Sequence, residues 1–172
     1  MSGKTSKVTF IFRNKESGIS IQKVFDTVLR YIDINYDTIT APYYQADLTH
    51  IIKNLFYVHN LSDRKCIAHM TGGPHYLLLG CKGNKKILTI HDLVLLDKCN
   101  SRLKKIIFSF FWFYLPMAKA DKITCISEYV RKQLIKRFKI DPNKIVTIYN
   151  PVQPLYCRHP YSFHTKKPVI LH

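Results

Sequence analysis

The chain of 172 residues is long enough for one well-buried domain and short for two of ordinary size. Apolar residues make up 47% and charged residues 22%, a profile that excludes a disordered chain. Lys and Arg number 27 against 11 Asp and Glu, a formal net charge of +16, so a polyanionic neighbour is expected: nucleic acid, an anionic membrane surface or a diphosphate-bearing substrate.

In chain order, Val8 to Phe12 is a short apolar run that reads as a buried strand, and it is too short for the core of a signal peptide. A polar loop through Arg13, Ser17 and Gly18 follows, where the glycine can bring backbone amides near a phosphate at the start of a helix; an ordinary strand-to-helix turn has the same look. Ile21, Val24, Phe25, Val28 and Leu29 then keep the spacing of an apolar helical stripe. A weaker strand candidate spans Asp37 to Ala41. Tyr44, Leu48, Ile51, Ile52 and Leu55 repeat the helical stripe.

Further strands are expected at Cys66 to His69, Ile87 to Ile90, Ile123 to Ile126, Ile145 to Ile148 and Val169 to Leu171. None alternates with period two, as befits parallel strands covered on both faces. Between them, residues 101–115 form a helix apolar nearly all round. Its aromatic cluster from Phe110 to Tyr114 reads as a buried helix rather than a membrane-dipping one. The run Ile106 to Ala118 falls short of the roughly 18–20 residues that a membrane span requires. Residues 128–138 place Val130, Leu134, Ile135 and Phe138 opposite Arg131, Lys132 and Lys136. Ser127 is suited to cap this helix, and Glu128 to complement its dipole. Strands alternating with helices predict a doubly wound, Rossmann-like parallel α/β sheet. The expected organisation is one domain over residues 1–152, then a proline-bearing linker and the first strand of another domain over 153–172.

Lys104, Lys105, Lys119, Lys122, Arg131, Lys132, Lys136, Arg137 and Lys139 crowd the second half around two apolar helices, a pattern suited to peripheral contact with an anionic membrane or to a plain solvated face. The five cysteines share no CxxC spacing, so neither a disulfide framework nor a zinc site is indicated, Cys66 and Cys125 read as core residues, and a cytoplasmic setting fits.

Ligands of open parallel sheets bind beyond the carboxyl ends of the strands. His69, Thr71, Gly72, Gly73 and His75 follow one strand; as a metal pair the two histidines lack a third ligand at sensible spacing. Thr89-Ile90-His91-Asp92 places an imidazole beside a carboxylate at another strand's end, where His91 is suited to hydrogen-bond a substrate hydroxyl or a diphosphate oxygen. Ser127 ends a further strand. No nucleophile elbow, Walker loop, GxGxxG or HExxH element is present, and no nucleic-acid-binding motif accompanies the charge, so nucleic acid is not the expected partner.

The order of Lys7 to Arg13, Ser17 to Ile21, His69 to Gly72, Ile87 to Asp92, Ala120 to Tyr129 and Lys144 to Val152 resembles the N-terminal domain of family 4 retaining glycosyltransferases, which have the GT-B architecture of two facing Rossmann-like domains. The resemblance implies transfer of a sugar from a nucleotide diphosphate sugar to an acceptor hydroxyl, with retention and without an obligatory metal or other cofactor, in polysaccharide or glycoconjugate synthesis. By position it implies that His91 is the catalytic-site histidine near the transferred sugar and that Gly18 lies near the donor diphosphate. His69, Thr71, Asp92 and Ser127 are expected in the acceptor cleft. Ser17 stands where the family commonly has the first of two glycines. The Arg/Lys pair and paired glutamates of the family's C-terminal domain have no counterpart in these residues. The expectation is therefore a truncated or split transferase, inactive or nearly so alone, with a sugar or glycolipid acceptor and a separate C-terminal half as partners. The alternative is a non-catalytic binding module or pseudoenzyme that keeps the acceptor cleft.

Overall fold

The computed structural model describes residues 7–98 and 101–152. Six strands, β1 (Val8–Phe12), β2 (Tyr36–Thr40), β3 (Ile67–Met70), β4 (Lys85–Ile90), β5 (Lys122–Cys125) and β6 (Ile145–Thr147), form one sheet in the order β2-β1-β3-β4-β5-β6. Every neighbouring pair is parallel. Parallel neighbours need long crossovers, and helices supply them. These are α1 (Ser20–Leu29), α2 (Leu48–Leu61), the single turns α3 (Leu77–Gly80) and α4 (Val94–Asp97), α5 (Arg102–Phe108), α6 (Leu115–Lys119) and α7 (Glu128–Phe138). A π-helical segment, Ser109–Tyr114, joins α5 to α6.

The expected Rossmann-like α/β sheet is therefore present, with strand bounds that differ from the sequence reading by up to two residues. The expected strand Val169 to Leu171 and the linker before it lie outside the described residues.

Successive side chains of a strand point to opposite faces, and the core divides accordingly. Phe10 and Phe12 of β1 meet Ile21 and Phe25 of α1 in one cluster. Ile11 turns the other way into the larger cluster, with Met70, Leu88, Ile90 and Ile123 from the sheet and Val58, Phe113, Met117 and Leu134 from helices. Cys66 and Cys125 are buried free thiols, as their apolar surroundings imply.

Local chemistry fixes the helix ends. The Ser127 hydroxyl accepts from the Val130 amide at 3.2 Å, and Asp47 accepts from His50 at the head of α2. Lys139, in the left-handed region at φ 55°, closes α7.

Two helices depart from the expected stripes. The side of α2 that enters the core carries Val58 and the fully buried Asn54, while Leu48 and Ile52 are exposed. Asn54 is satisfied there: its amide donates to the Tyr43 carbonyl and the Tyr76 hydroxyl, and its oxygen accepts from the Tyr43 amide. An apolar stripe alone does not register such a polar anchor. The second departure is residues 101–115, which are not a buried helix. No residue of α5 is buried, and in the π-helical segment only Phe113 is. Phe110, Phe111 and Tyr114 stand exposed, because a run of five residues exceeds one helical turn and so points to every side of it.

Leu88 sits at 0% exposure in the central strand β4, so Leu88→Ala leaves a cavity that strands on both sides hold open. Urea unfolding should show a loss of about 2–5 kcal/mol.

Candidate functional site

The chain winds outward from β1 to β2 and then returns to place β3 on the other side of β1. At such a switch point the loops after the two central strands run apart and leave a crevice at their carboxyl tips. Here Arg13 leaves β1, the turn Thr71-Gly72-Gly73 leaves β3, and His91 and Asp92 leave β4. These loops enclose a pocket of about 250 Å³ lined by Arg13, Ile21, Gly73, His75, His91, Asp92, Val94, Leu95 and Phe113.

One series of hydrogen bonds positions His91. The Ile11 carbonyl of β1 accepts from both the amide and the hydroxyl of Thr71, at 3.0 and 2.9 Å. The carbonyl of Thr71 in turn accepts from His91 Nε2 at 2.9 Å. Only a protonated nitrogen donates to a carbonyl, so Nε2 carries the hydrogen and the neutral ring keeps its lone pair on Nδ1. Among the described residues Nδ1 has no hydrogen-bond partner. Burial lowers the His91 pKa, and Arg13 pushes the same way; the Thr71 bond and Asp92 oppose. The ring is therefore neutral at physiological pH.

Gly72 is a requirement of this arrangement. Its φ is +128°, and a Cβ there would lie 2.5 Å from His91 Cδ2. Any side chain at this position displaces the imidazole.

Arg13 fills the space between two turns. Its guanidinium would lie 3.1 Å from a Cβ on Gly18, and its Cδ 3.1 Å from one on Gly73. Arg13 Nε is buried without a partner, while a terminal nitrogen reaches the Ser20 hydroxyl at 3.4 Å. Burial lowers its pKa and neighbouring Asp92 raises it, but a guanidinium stays charged. Asn14 pins this loop to the end of β2 by donating to the carbonyls of Ala41 and Pro42. The exposed Asp92 accepts from the Val94 amide and starts α4.

His75 completes the pocket. It is 4% exposed, stands edge-on to Phe113, and its Nδ1 has no partner. Burial first, then His91, holds its pKa down to about 3, against a smaller opposing effect of its hydrogen bond to the Trp112 backbone.

Of the residues singled out from sequence, His91 and Asp92 line this pocket, and Gly18 borders it through Arg13. Gly18 sits at φ +110°, with its amide already donating to the Lys15 carbonyl. Three others are placed differently. His69 belongs to β3 itself, beside Phe10 and Phe25, and its Nε2 bonds the Thr89 hydroxyl at 2.8 Å; burial lowers its pKa to about 4. It is a packing histidine of the α1 face, not a cleft residue, because its ring turns to the side of the sheet that α1 covers. The Thr71 hydroxyl is spent on β1, so Thr71 orients His91 through its carbonyl and offers no side chain to a ligand. The Ser127 hydroxyl is spent on capping α7.

Sequence reasoning passed over Arg13 as loop, and it weighed His75 with His69 as a metal pair, as positioning a hydroxylated substrate or as plain loop structure. Those two rings lie apart, one on the sheet and one in the pocket. Among the described residues no group of three or more His, Cys, Asp or Glu side chains is placed to hold a metal ion.

Residues 39–154 match the family model described as Glycosyltransferase Family 4. The matched span includes Thr71 to Gly73, His75, His91 and Asp92, while Arg13 and Gly18 precede it. No curated protein matches the chain.

The buried neutral His75 links stability to pH. In the unfolded chain an imidazole protonates near about 6.5, whereas in the fold it does so only near about 3. Below pH 6.5 the unfolded state thus binds a proton that the folded state refuses, and stability falls as pH falls toward 4; above 6.5 this group has no effect. Urea unfolding of His75→Phe between pH 6.5 and 4 should show a slope smaller by about 1.4 kcal/mol per pH unit than the parent's.

Proposed function

Because the chain belongs to glycosyltransferase family 4, we propose that the switch-point pocket is the acceptor side of a cleft for transferring a sugar from a nucleotide diphosphate sugar to an acceptor hydroxyl, within polysaccharide or glycoconjugate synthesis. The observation that carries this reading is His91, fixed by the Thr71 carbonyl with its Nδ1 lone pair unused in a pocket that also holds a guanidinium.

The neutral imidazole accepts a hydrogen bond from a hydroxyl of the sugar and so sets the reacting carbon against the acceptor. The bond from the anomeric carbon to the diphosphate oxygen breaks, and a bond from the same carbon to the acceptor oxygen forms on the same face of the ring. The acceptor's proton passes to the departing diphosphate. Negative charge grows on that leaving group, and Arg13 beside the Gly18 turn supplies positive charge from this side. The first amides of α1 add to it, since no side chain caps them. Asp92 holds Arg13 by its charge and fixes the β4 tip by its bond to Val94.

Arg13 lies on one wall only, so the diphosphate is to be enclosed by a second, donor-binding lobe facing the strand tips, on the same polypeptide or a separate one. The reading involves no metal and no other cofactor: the guanidinium and helix amides take the electrostatic role.

The test is transfer from a panel of nucleotide diphosphate sugars by the purified chain, alone and with a separately supplied family 4 donor-binding lobe. The expected outcome is no transfer alone and transfer with the lobe, with kcat about 10²–10³ lower for His91→Ala at unchanged fold. Robust turnover by the chain alone contradicts the need for a facing lobe. An unaltered kcat in His91→Ala contradicts the assignment of the cleft.

A further inference from the structure

The largest unexplained feature lies away from the sheet tips. Leu103, Ile106 and Ile107 on α5 are 50–67% exposed, and Phe110, Phe111 and Tyr114 on the π-helical segment 43–54%. Across from Ile107 and Phe111 lies α2, on which Leu48, Ile52 and Phe56 are also exposed, whereas Ile106, Phe110 and Tyr114 line a second hollow with Asp97 and Arg137. An apolar area of this extent is uncommon on a soluble domain unless something covers it.

Between the two helices runs an apolar groove of about 590 Å³, with Leu48, Ile51 and Leu55 on one wall and Ile107, Phe111 and Trp112 on the other. Lys104 stands at its edge. Apart from Asp47, which pairs with His50 at the head of α2, the charges around it are positive. The segment from Arg102 to Lys119 carries Arg102, Lys104, Lys105 and Lys119 and no carboxylate, and α2 carries Lys53 and no carboxylate. Arg102 and Lys104 form no ion pair among the described residues. Exposed aliphatic and aromatic side chains interleaved with unpaired cations on a ridge match the chemistry of an anionic bilayer surface, with apolar groups for the acyl layer and cations for phosphate headgroups. No helix among the described residues is long and apolar enough to cross a membrane, so the contact is a peripheral one.

The π-helical segment is the wall between this groove and the candidate cleft. Trp112 lines the groove, and its indole nitrogen donates to the Gly73 carbonyl at 2.9 Å. The next residue, Phe113, lines the pocket of His75 and His91. Consecutive residues of a helical turn point in different directions, so Trp112 and Phe113 face two different cavities.

We propose that the α2–α5 face docks on an anionic membrane and that the groove receives the hydrocarbon chain of a membrane lipid, so that a lipid-borne acceptor presents its head group to the His91 cleft across the Trp112–Phe113 wall. The last clause rests on the transfer reading; the docking and the groove do not, and their test needs neither donor sugar nor second lobe.

Trp112 is the single tryptophan and reports directly on the groove. The full chain is mixed with vesicles of phosphatidylcholine alone or with an equal part of phosphatidylglycerol, the phosphatidylcholine carrying normal or brominated acyl chains. The expected result is sedimentation with the anionic vesicles, and quenching of Trp112 by the brominated chains that persists after moderate salt. Phe111→Glu, at a position exposed enough to leave the fold intact by circular dichroism, should weaken partitioning at least tenfold; Lys104→Glu should weaken it for anionic vesicles; Tyr31→Glu, in the exposed turn after α1, should change nothing. Absence of vesicle binding overturns the proposal. So does binding without quenching, which is surface charge alone, or parent-like binding by Phe111→Glu. A dimer in light scattering that Phe111→Glu dissolves, without lipid binding, assigns the face to a second copy and equally overturns it.

Discussion

The carbonyl of Thr71 is the point on which the geometry of the cleft turns. Its own residue is clamped to β1 by two bonds to the Ile11 carbonyl, and it receives the imidazole of His91 from β4. Three strand tips are thereby tied together across the switch point. The fixed acceptor decides which nitrogen of the ring is protonated, and therefore which one is left to act. Gly72 keeps the approach open because nothing larger than hydrogen fits beside the ring. The glycine, the threonine and the histidine form one device, although only the histidine can touch a ligand.

The same device explains what was legible in the sequence and what was not. Buried parallel strands announce themselves as short β-branched runs, and the amphipathic α7 by its spacing and its serine cap, so the parallel sheet followed from pattern, whereas the order of strands within it did not. His91 was legible because it directly follows such a run. Thr71 and His69 sit elsewhere for a physical reason: a hydroxyl's partner lies 60 residues away in the chain, and the face of the sheet that a histidine near a strand end takes is set by the helix packed against it. Arg13 was invisible as more than a polar loop residue because its role comes from being pressed between two glycine turns brought together only by the fold. His75 gives no signal of its burial, since a histidine in a Gly-Gly-Pro loop looks solvated.

The aromatic run Phe110 to Tyr114 was the other point at which pattern failed. Its apolar character was read as burial, whereas the helical winding divides it between core, groove and solvent. Hydrophobicity states how much a side chain gains by leaving water, not which neighbour takes it out. One face of the segment supplies Phe113 to the cleft and the other supplies Trp112 to the groove, so two adjoining cavities share this helix as a wall.

The account depends on His91 being neutral, protonated on Nε2, with Nδ1 unoccupied and facing a ligand. Nitrogen-15 NMR of the histidine rings at pH 7 tests this directly. The predicted spectrum has His91 as the Nε2–H tautomer, with Nδ1 in the unprotonated range and titrating below the usual imidazole value. An Nδ1–H tautomer, or an imidazolium at pH 7, would contradict the Thr71 anchor and with it the assignment of this pocket as the site of transfer.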